Sequence, residues 1–510
     1  MITLRSGALE MRSCPTEGRV DSQVAYRAGM NKRWMIVAAI LVAAFFIQMP
    51  LILNSDLGWL LTLNEKILEG RKFGVDIFES NPPLSTYMYM PAVVIGRMAH
   101  VAPEFAVIAM VLVEIAGALL VVDRAMAAIG SAEGERDAAI WTLAFLLALL
   151  PGLVFGQREH IAVVALTPFV AITALRWRGF DPGPVAILAG LGAGLALDIR
   201  PFLGLVVGLP IILDAVRKRS LKPLFVPETW AIAAVAFCYA AVIVLVFSEY
   251  LFKYAPVVNE AYLPIRKGWE ALVVIPIVIL GASIFLLRLV GRQNVEIWSD
   301  ATPWLAASVG GAAAYVVQGK GWPYTAFALC AFAMAAPLLS LRATTLRAPV
   351  MIASAAIVSL TGLYLSLQPP DFPPLAQHVE AIASHPRLLT ITDHIALGHP
   401  LVRQLGGSWA GSSCAQLIAG GAVWLEKYSH PTQIERAKLD AIIGSEQRQL
   451  LADIRNGRPD VILVDTSLLS SFPFDWMAWA NSDPGIRDEL ENYREVEDVG
   501  RVRILARTLH

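Results

Sequence analysis

The chain has 510 residues, of which 56% are hydrophobic and only 16% are charged. Soluble proteins carry about 25% charged residues, so this composition excludes an ordinary soluble enzyme. The formal net charge of −1 identifies no partner, and no basic stripe suggests a nucleic acid. Apolar runs at 34–53, 229–247 and 348–367 are each long enough to cross roughly 30 Å of hydrocarbon. The sequence therefore predicts a polytopic α-helical membrane protein.

Basic residues predict the orientation of the membrane domain, 34–367. The tail 1–33 contains six of them, and the apolar run that follows is too long for a signal-peptide core, so we predict a retained first helix. Loops rich in Lys and Arg stay cytoplasmic, and such loops lie at 176–183, 214–228, 288–292 and 342–347. Counting helices between them predicts about 11 spans with the amino terminus inside: 34–53, 103–122, 138–155, 161–175, 184–198, 201–214, 229–248, 270–290, 301–317, 324–341 and 348–367.

The segment 54–102 is predicted to lie on the outer face of the membrane. An apolar stretch at 84–99 would invert every later loop if it were a span, so we interpret it as a re-entrant or interfacial helix. The stretch 58–70 is predicted to be a helix flat on the membrane surface, with Asn64 on its polar side and an apolar side formed by Leu60, Leu63 and Ile67.

From residue 368 the chain turns polar. A proline-rich junction at 369–374 opens this part, and strand-like runs alternate with helical stretches such as 432–456. We therefore predict a small extracytoplasmic α/β domain over 368–510, with strands at 388–392, 461–464 and 502–505. Its histidines lack a recognised ligand spacing, as do the four cysteines of the chain. We interpret Asp393, His394 and His399 as residues of a surface strand-loop segment.

Polar residues that are costly near hydrocarbon gather on the predicted outer loops. Ionisable groups there are unfavourable unless they are paired or hydrated, so their grouping predicts a polar cavity. Cations at that level suit the oxygens of a lipid-linked phosphate, and a carboxylate beside them suits removal of a proton from an acceptor hydroxyl. The candidates are Arg158, Arg200 and Lys320 for phosphate, Asp56 and Glu159 for catalysis, and Glu79, Asn81, His160, Tyr262 and Trp322 for substrate binding.

Structural alternatives stand beside these assignments. Asp56 could cap the helix that follows it, and Arg158 with Glu159 could form an ion pair at a helix turn. Arg200 and Lys320 could extend to lipid headgroups. Trp322 could belong to an interfacial aromatic belt, and His160 could be structural. The functional hypothesis depends on these residues sharing one face of the membrane.

Several short stretches resemble the GT-C superfamily of membrane glycosyltransferases. This superfamily includes protein mannosyltransferases, lipid A aminoarabinose transferases and rhizobial lipopolysaccharide galacturonosyltransferases. The resemblance covers about residues 30–367. It is carried by 54–59 (NSDLGW), 68–70 (LEG), 79–84 (ESNPPL), 156–157 (GQ), 198–201 (DIRP) and 318–324 (QGKGWPY).

The resemblance implies roles for individual residues. Asp56 takes the position of the catalytic acidic residue, expected to act as base on the acceptor. Glu159 takes the position of the second acid, where Asp is usual, and Thr325 stands where a bacterial subset has His. The resemblance also implies a lipid-linked sugar donor and a carboxyl-terminal domain that helps to hold the acceptor.

The first hypothesis is a glycosyltransferase that moves a sugar from a polyprenyl-phosphate donor to a glycan, lipid or protein of the cell envelope, on the outer face of a bacterial inner membrane. The alternative is a transporter or flippase of a lipid-linked or anionic solute, which would place ionisable residues near mid-membrane. Transfer of a whole oligosaccharide or a phospho-group would use the same cavity. No cofactor is predicted with certainty. A divalent metal shared by Asp56 and Glu159 is left open, as are the sugar, the stereochemical outcome and the oligomeric state.

Overall fold

A computed structural model describes residues 17–51, 54–291, 294–340, 348–367 and 371–508. Predicted features that lie outside the described residues include part of the basic tail, Cys14, the loop residues Arg292, Arg342 and Arg347, and the first two prolines of the junction.

Helices make up most of the described chain. A helix covers most of each apolar segment that the sequence predicted to span the membrane. The helices are α1 (Glu17–Gln48), α2 (Ser55–Leu68), α3 (Leu84–Tyr87), α4 (Met90–Ala99), α5 (Pro103–Ala128), α6 (Glu133–Ala148), α7 (Arg158–Trp177), α8 (Val185–Ile199), α9 (Gly204–Lys218), α10 (Pro227–Val246), α11 (Ala255–Ala261), α12 (Trp269–Gly291), α13 (Val295–Gln318), α14 (Phe327–Leu339), α15 (Ala348–Ser366), α16 (Ala376–Ile382), α17 (Leu401–Gln404), α18 (Leu417–Tyr428), α19 (Gln433–Gly457), α20 (Trp476–Asn481) and α21 (Pro484–Leu490).

Five of the described helices have the length and composition to cross a membrane: α5, α7, α10, α12 and α15. Shorter apolar helices lie between them in the chain, including α8. The count of about 11 spans and the inside position of the amino terminus stay predictions. The apolar stretch predicted at 84–99 forms two short helices, α3 and α4, and Pro91 stands at the start of the second, where a proline is tolerated.

Helix α2 is present, but the solvated side predicted for it is wrong, and its position relative to the membrane surface stays a prediction. Every residue from Leu57 to Asn64 is buried, on all sides of the helix. Asn64 donates hydrogen bonds to the carbonyls of Leu60 (2.8 Å) and Thr86 (2.9 Å), so its amide has protein partners in place of water. The apolar stripe therefore packs on protein, and the side predicted to be solvated is covered as well.

The carboxyl-terminal part contains the predicted small α/β domain. A five-stranded sheet has the order β2-β1-β3-β7-β6, with β1 parallel to β2 and β3, and with β7 antiparallel to β3 and β6. Strand β3 is buried at all of its positions, as is typical of a strand inside a parallel sheet. The strands are β1 (Arg387–Ile391), β2 (Ser408–Trp409), β3 (Val461–Asp465), β4 (Ser467–Leu468), β5 (Phe472–Pro473), β6 (Tyr493–Val499) and β7 (Val502–Arg507), of which β4 and β5 pair separately.

A buried ion cluster joins α1 to α5 and α6. The fully buried Arg33 places Nη1 2.6 Å from Asp123 and Nε 2.6 Å from Asp137, and its remaining nitrogen contacts Glu133. Arg136 adds a second guanidinium, 2.8 Å from Asp123. Buried charges are tolerated when they are paired and hydrogen-bonded, and this cluster therefore fixes α1 to α5 and α6.

We expect Arg33→Met to destabilise the fold, because it removes the buried guanidinium shared by Asp123, Glu133 and Asp137 and leaves Asp137 without an arginine partner. The loss should be about 3 kcal/mol or more, seen as a lower apparent Tm of the purified protein in detergent. Arg178→Met is the control, because Arg178 pairs with partly exposed carboxylates and should contribute less than about 1 kcal/mol. Equal Tm values for the two variants would contradict the assignment.

Candidate active site

Ionisable side chains from four segments meet at one end of the helices. Asp56 lies in the first turn of α2, Arg158 and Glu159 lie in the first turn of α7, and Arg200 follows α8. The loop after α2 contributes Glu79, which is buried. We call these five residues the arginine–carboxylate cluster. The sequence prediction that they gather at one place agrees with this geometry.

Arg158 lies between two carboxylates. Its Nη2 is 3.2 Å from Oδ1 of Asp56, and its Nη1 is 3.5 Å from Oε1 of Glu79. The guanidinium is 4% exposed, so these contacts replace most of its hydration. Arg158 therefore joins the start of α7 to the start of α2 and to the loop that follows α2.

Arg200 makes the second set of contacts. Its Nη2 is 2.6 Å from Oε1 of Glu159, and its Nη1 donates to Oδ1 of Asn81 at 2.5 Å. The alternative in which Arg158 and Glu159 pair with each other is therefore wrong, because each binds a partner from another segment. Extension of Arg200 toward headgroups is wrong as well.

Several buried polar atoms of the cluster lack a hydrogen-bond partner among the described residues, including both carboxylate oxygens of Glu159. Within the described residues, neither Nε of Arg158 nor Nε of Arg200 has a hydrogen-bond partner, although both are buried. The side-chain amide of Gln157, directly before Arg158, is also buried without a partner. Buried donors of this kind are costly unless an acceptor reaches them, and an anion with several oxygens would supply acceptors.

Glu79 is fixed by residues around it. Trp59 Nε1 donates to its Oε2 at 2.7 Å, and the backbone N–H of Asn81 donates to its Oε1 at 3.0 Å. Glu79 contacts Arg158 and Asn81 contacts Arg200, while the role in substrate binding expected of both stays a prediction. Trp59 was not among the candidates, because an apolar side chain in a helix gives no sign of a distant carboxylate.

Asp56 is the most accessible carboxylate of the cluster. Its side chain is 20% exposed, against 5% for Glu79 and 3% for Glu159. The alternative that Asp56 caps α2 is wrong, since the cap is Asn54, whose side chain accepts the Asp56 N–H at 2.9 Å. A negative charge in the first turn of a helix interacts favourably with the helix dipole, and Asp56 is the cluster carboxylate that solvent reaches most easily.

Lys320 approaches the cluster through Tyr262. Its Nζ donates to the carbonyls of Tyr262 (2.8 Å) and Ile265 (2.7 Å) and lies 3.9 Å from the Tyr262 ring centroid. Burial lowers the pKa of Lys320 to about 8, and Arg266 adds a smaller effect. Burial also raises the pKa of Tyr262, followed by the effect of the Asp56 carboxylate.

Two other candidates lie outside these contacts. Trp322 stacks on Tyr324 with centroids 5.5 Å apart and is partly exposed. His160 is fully buried, with Nδ1 accepting from Gly156 N at 2.9 Å and Nε2 2.7 Å from the Leu147 carbonyl. Both ring nitrogens of His160 are therefore occupied by backbone groups, and the structural alternative describes this residue.

In the described part of the chain, no three His, Cys, Asp or Glu side chains are grouped so as to hold a metal ion. Asp56 contacts Arg158, and Glu159 contacts Arg200. The five cluster residues carry two positive and three negative formal charges, and each carboxylate has an arginine partner.

The described helices and the small carboxyl-terminal sheet have the fold of a solved GT-C membrane glycosyltransferase. That match covers most of the chain and agrees, at the level of the fold, with the resemblance seen in the sequence. No protein-family model and no curated protein matches the chain.

ArnT from Cupriavidus metallidurans bound to undecaprenyl phosphate matches 92% of this chain and 97% of its own, with a TM-score of 0.51 and 12% identity. Arabinofuranosyltransferase AftD from Mycobacteria matches 94% of this chain and 40% of its own, with a TM-score of 0.43 and 13% identity. The oligosaccharyltransferase from Archaeoglobus fulgidus, tethered to an acceptor peptide, matches 90% of this chain and 72% of its own, with a TM-score of 0.39 and 10% identity.

We expect His160→Phe to destabilise the protein by about 1–3 kcal/mol, because the Gly156 N–H and the Leu147 carbonyl lose their buried partner. His160→Asn keeps one donor and one acceptor and should lose less. Thermal unfolding of both variants in detergent checks this order. An unchanged Tm for His160→Phe would contradict a structural role.

Proposed function

We propose that this protein transfers a sugar from a polyprenyl-phosphate donor to a hydroxyl group of a cell-envelope glycan, lipid or protein. The observation that carries the proposal is the pair of buried arginines, Arg158 and Arg200, each with an unpaired Nε–H, beside the accessible carboxylate of Asp56. The GT-C fold supports it, since the matching ArnT structure contains undecaprenyl phosphate. We place the reaction on the outer face of a bacterial inner membrane, with the carboxyl-terminal domain extracytoplasmic.

In this proposal the arginines hold the donor phosphate. Guanidinium groups form short charge-assisted hydrogen bonds with phosphate oxygens, and the two Nε–H groups lack acceptors among the described residues. As the bond between the sugar and the phosphate breaks, negative charge grows on the leaving phosphate. Fixed cations in a water-poor site stabilise that charge. Lys320 adds a third cation at the edge of the site.

Asp56 is the proposed base. The acceptor oxygen forms a bond to the anomeric carbon, its proton passes to the Asp56 carboxylate, and the polyprenyl phosphate leaves with the electrons of the broken bond. The Arg158 guanidinium, 3.2 Å from Asp56, fixes the position of this carboxylate. Glu159 contacts Arg200, so we assign it the role of orienting that arginine for the phosphate.

We expect Asp56→Asn and Arg200→Met each to lower sugar transfer by about 100-fold or more, because they remove the base and a phosphate ligand. The measurement is transfer of labelled sugar from a panel of undecaprenyl-phosphate sugars in membranes that contain the protein. Mass spectrometry of the cell envelope after gene deletion identifies the glycan that changes and hence the sugar and acceptor to use.

The control for that experiment is Asp76→Asn, on the same outer loop, where the exposed Asp76 accepts only a local backbone bond in the described structure. Full activity of folded Asp56→Asn and Arg200→Met would refute the proposal. Proteoliposome flipping that depends on Arg158 and Arg200, without any sugar transfer, would support the transporter alternative instead.

We expect donor binding to weaken as the pH rises through about 8. Burial lowers the pKa of Lys320 to about 8, so its amine is charged below that pH and neutral above it, and only the charged form attracts phosphate. The donor KM should therefore rise above pH 8 in the natural protein and stay flat in Lys320→Arg, since an arginine keeps its charge there. A parallel rise in both proteins would exclude this role for Lys320.

A further inference from the structure

The carboxyl-terminal domain packs directly on the helix that carries Asp56. Its segment 395–403 lies over α2, which is covered along its first half. A Cβ atom added to Gly58 would lie 3.3 Å from Cα of Pro400, so the two backbones are in close contact. The first half of α2 therefore packs directly against segment 395–403 of the carboxyl-terminal domain.

Arg403 joins this segment to two helices of the membrane domain. Its Nη1 is 2.8 Å from Oε2 of Glu65 on α2, and its Nε is 2.7 Å from Oε1 of Glu104 on α5. The Arg403 side chain is only 12% exposed. Ion pairs that are partly shielded from water are stronger than exposed ones, so Arg403 restrains α2 relative to α5.

A chain of contacts leads from this segment to the phosphate-binding arginine. The ring of His399 lies 5.4 Å from the ring of Trp59, centroid to centroid. Trp59 donates to Glu79 at 2.7 Å, and Glu79 lies 3.5 Å from Arg158. A displacement of His399 would therefore move the tryptophan that fixes Glu79.

A second contact holds the same loop. The N–H of Phe78, next to Glu79, donates to the carbonyl of Ser412 at 2.9 Å. Ser412 belongs to the carboxyl-terminal domain and is itself fixed by Asp453 on α19, through both its backbone N–H and its hydroxyl, each at 2.9 Å. Glu79 is thus restrained by that domain from both sides.

His399 acts through its ring and not through its charge. It is fully buried, and neither of its nitrogens has a hydrogen-bond partner in the described structure. Burial lowers its pKa to about 3, with a smaller effect of Arg403, so the ring is neutral. It fills the space between Trp59 and Trp409, whose ring centroid is 4.4 Å away.

We propose that the carboxyl-terminal domain positions the catalytic helix, with Arg403 and His399 as the positioning residues. Arg403 sets the placement of α2 and thus of Asp56, and His399 sets Trp59, Glu79 and thus Arg158. This inference rests on the proposed function, because it concerns the geometry of that same site. A displacement of a reacting group by about 1 Å can cost roughly 100-fold in rate.

The test compares Arg403→Gln, Arg403→Lys, His399→Ala and His399→Phe in the full-length protein. We expect Arg403→Gln and His399→Ala to lower kcat for sugar transfer by about 10- to 100-fold, with the donor KM changed less than about twofold. Arg403→Lys should restore part of the loss, and His399→Phe most of it, because a neutral ring fills the same space. Arg455→Gln is the control, since Arg455 makes an ion pair with Glu489 in the same domain, away from α2.

Hydrogen–deuterium exchange of peptides covering 55–68 and 77–81 gives a readout that is independent of sugar transfer. Exchange should be faster in Arg403→Gln and His399→Ala, and unchanged in Arg455→Gln. If Arg403→Gln does not fold, Glu65→Gln weakens the same restraint through one ion pair. Full kcat together with unchanged exchange overturns the positioning role. If the natural protein transfers no sugar, but exchange in the variants differs from it as expected, the proposed function is overturned and the restraint on α2 stands.

Discussion

The rest of the site depends on the cost of keeping two guanidinium groups out of water. Arg158 and Arg200 are almost fully buried, and a buried charge is tolerated only where opposite charges and hydrogen bonds surround it. The partners come from distant parts of the chain: Glu79 is 79 residues away from Arg158, and Asn81 is 119 residues away from Arg200. The loop after α2 must therefore pack against the start of α7 and the end of α8, and this brings Asp56 to the same place.

That constraint also explains which parts of the site the sequence could predict. Asp56, Arg158, Glu159 and Arg200 stand out as residues that are expensive near hydrocarbon, so their grouping follows from local composition. The partners of the two arginines do not follow from composition, because Glu79 and Asn81 are equally polar whether they contact substrate or arginine. Helix positions in the bundle were predictable from apolar length, whereas the burial of α2 was not, since an amphipathic pattern does not distinguish a covering membrane from a covering domain.

His160 shows how a small error in a helix boundary changes a functional assignment. The sequence placed residues 157–160 in a loop, where neighbours can share a site. The structure begins α7 at Arg158, and residues two positions apart in a helix point about 200° away from each other. Arg158 thus faces the cluster, and His160 faces the backbone of the preceding segment. The residue at which α7 begins therefore determines which side chains face the cluster and which make structural contacts.

Arg33 and the two arginines of the cluster all form ion pairs with carboxylates, but these ion pairs serve different roles. Each of the three guanidinium nitrogens of Arg33 has a carboxylate partner, and the residue is fully buried. Arg158 and Arg200 are surrounded by carboxylates as well, yet each retains a buried Nε–H that no described protein atom accepts. A saturated arginine gains nothing from an added anion, whereas an unsaturated one does. The unpaired Nε–H groups of Arg158 and Arg200 therefore distinguish the proposed phosphate site from the ion cluster around Arg33.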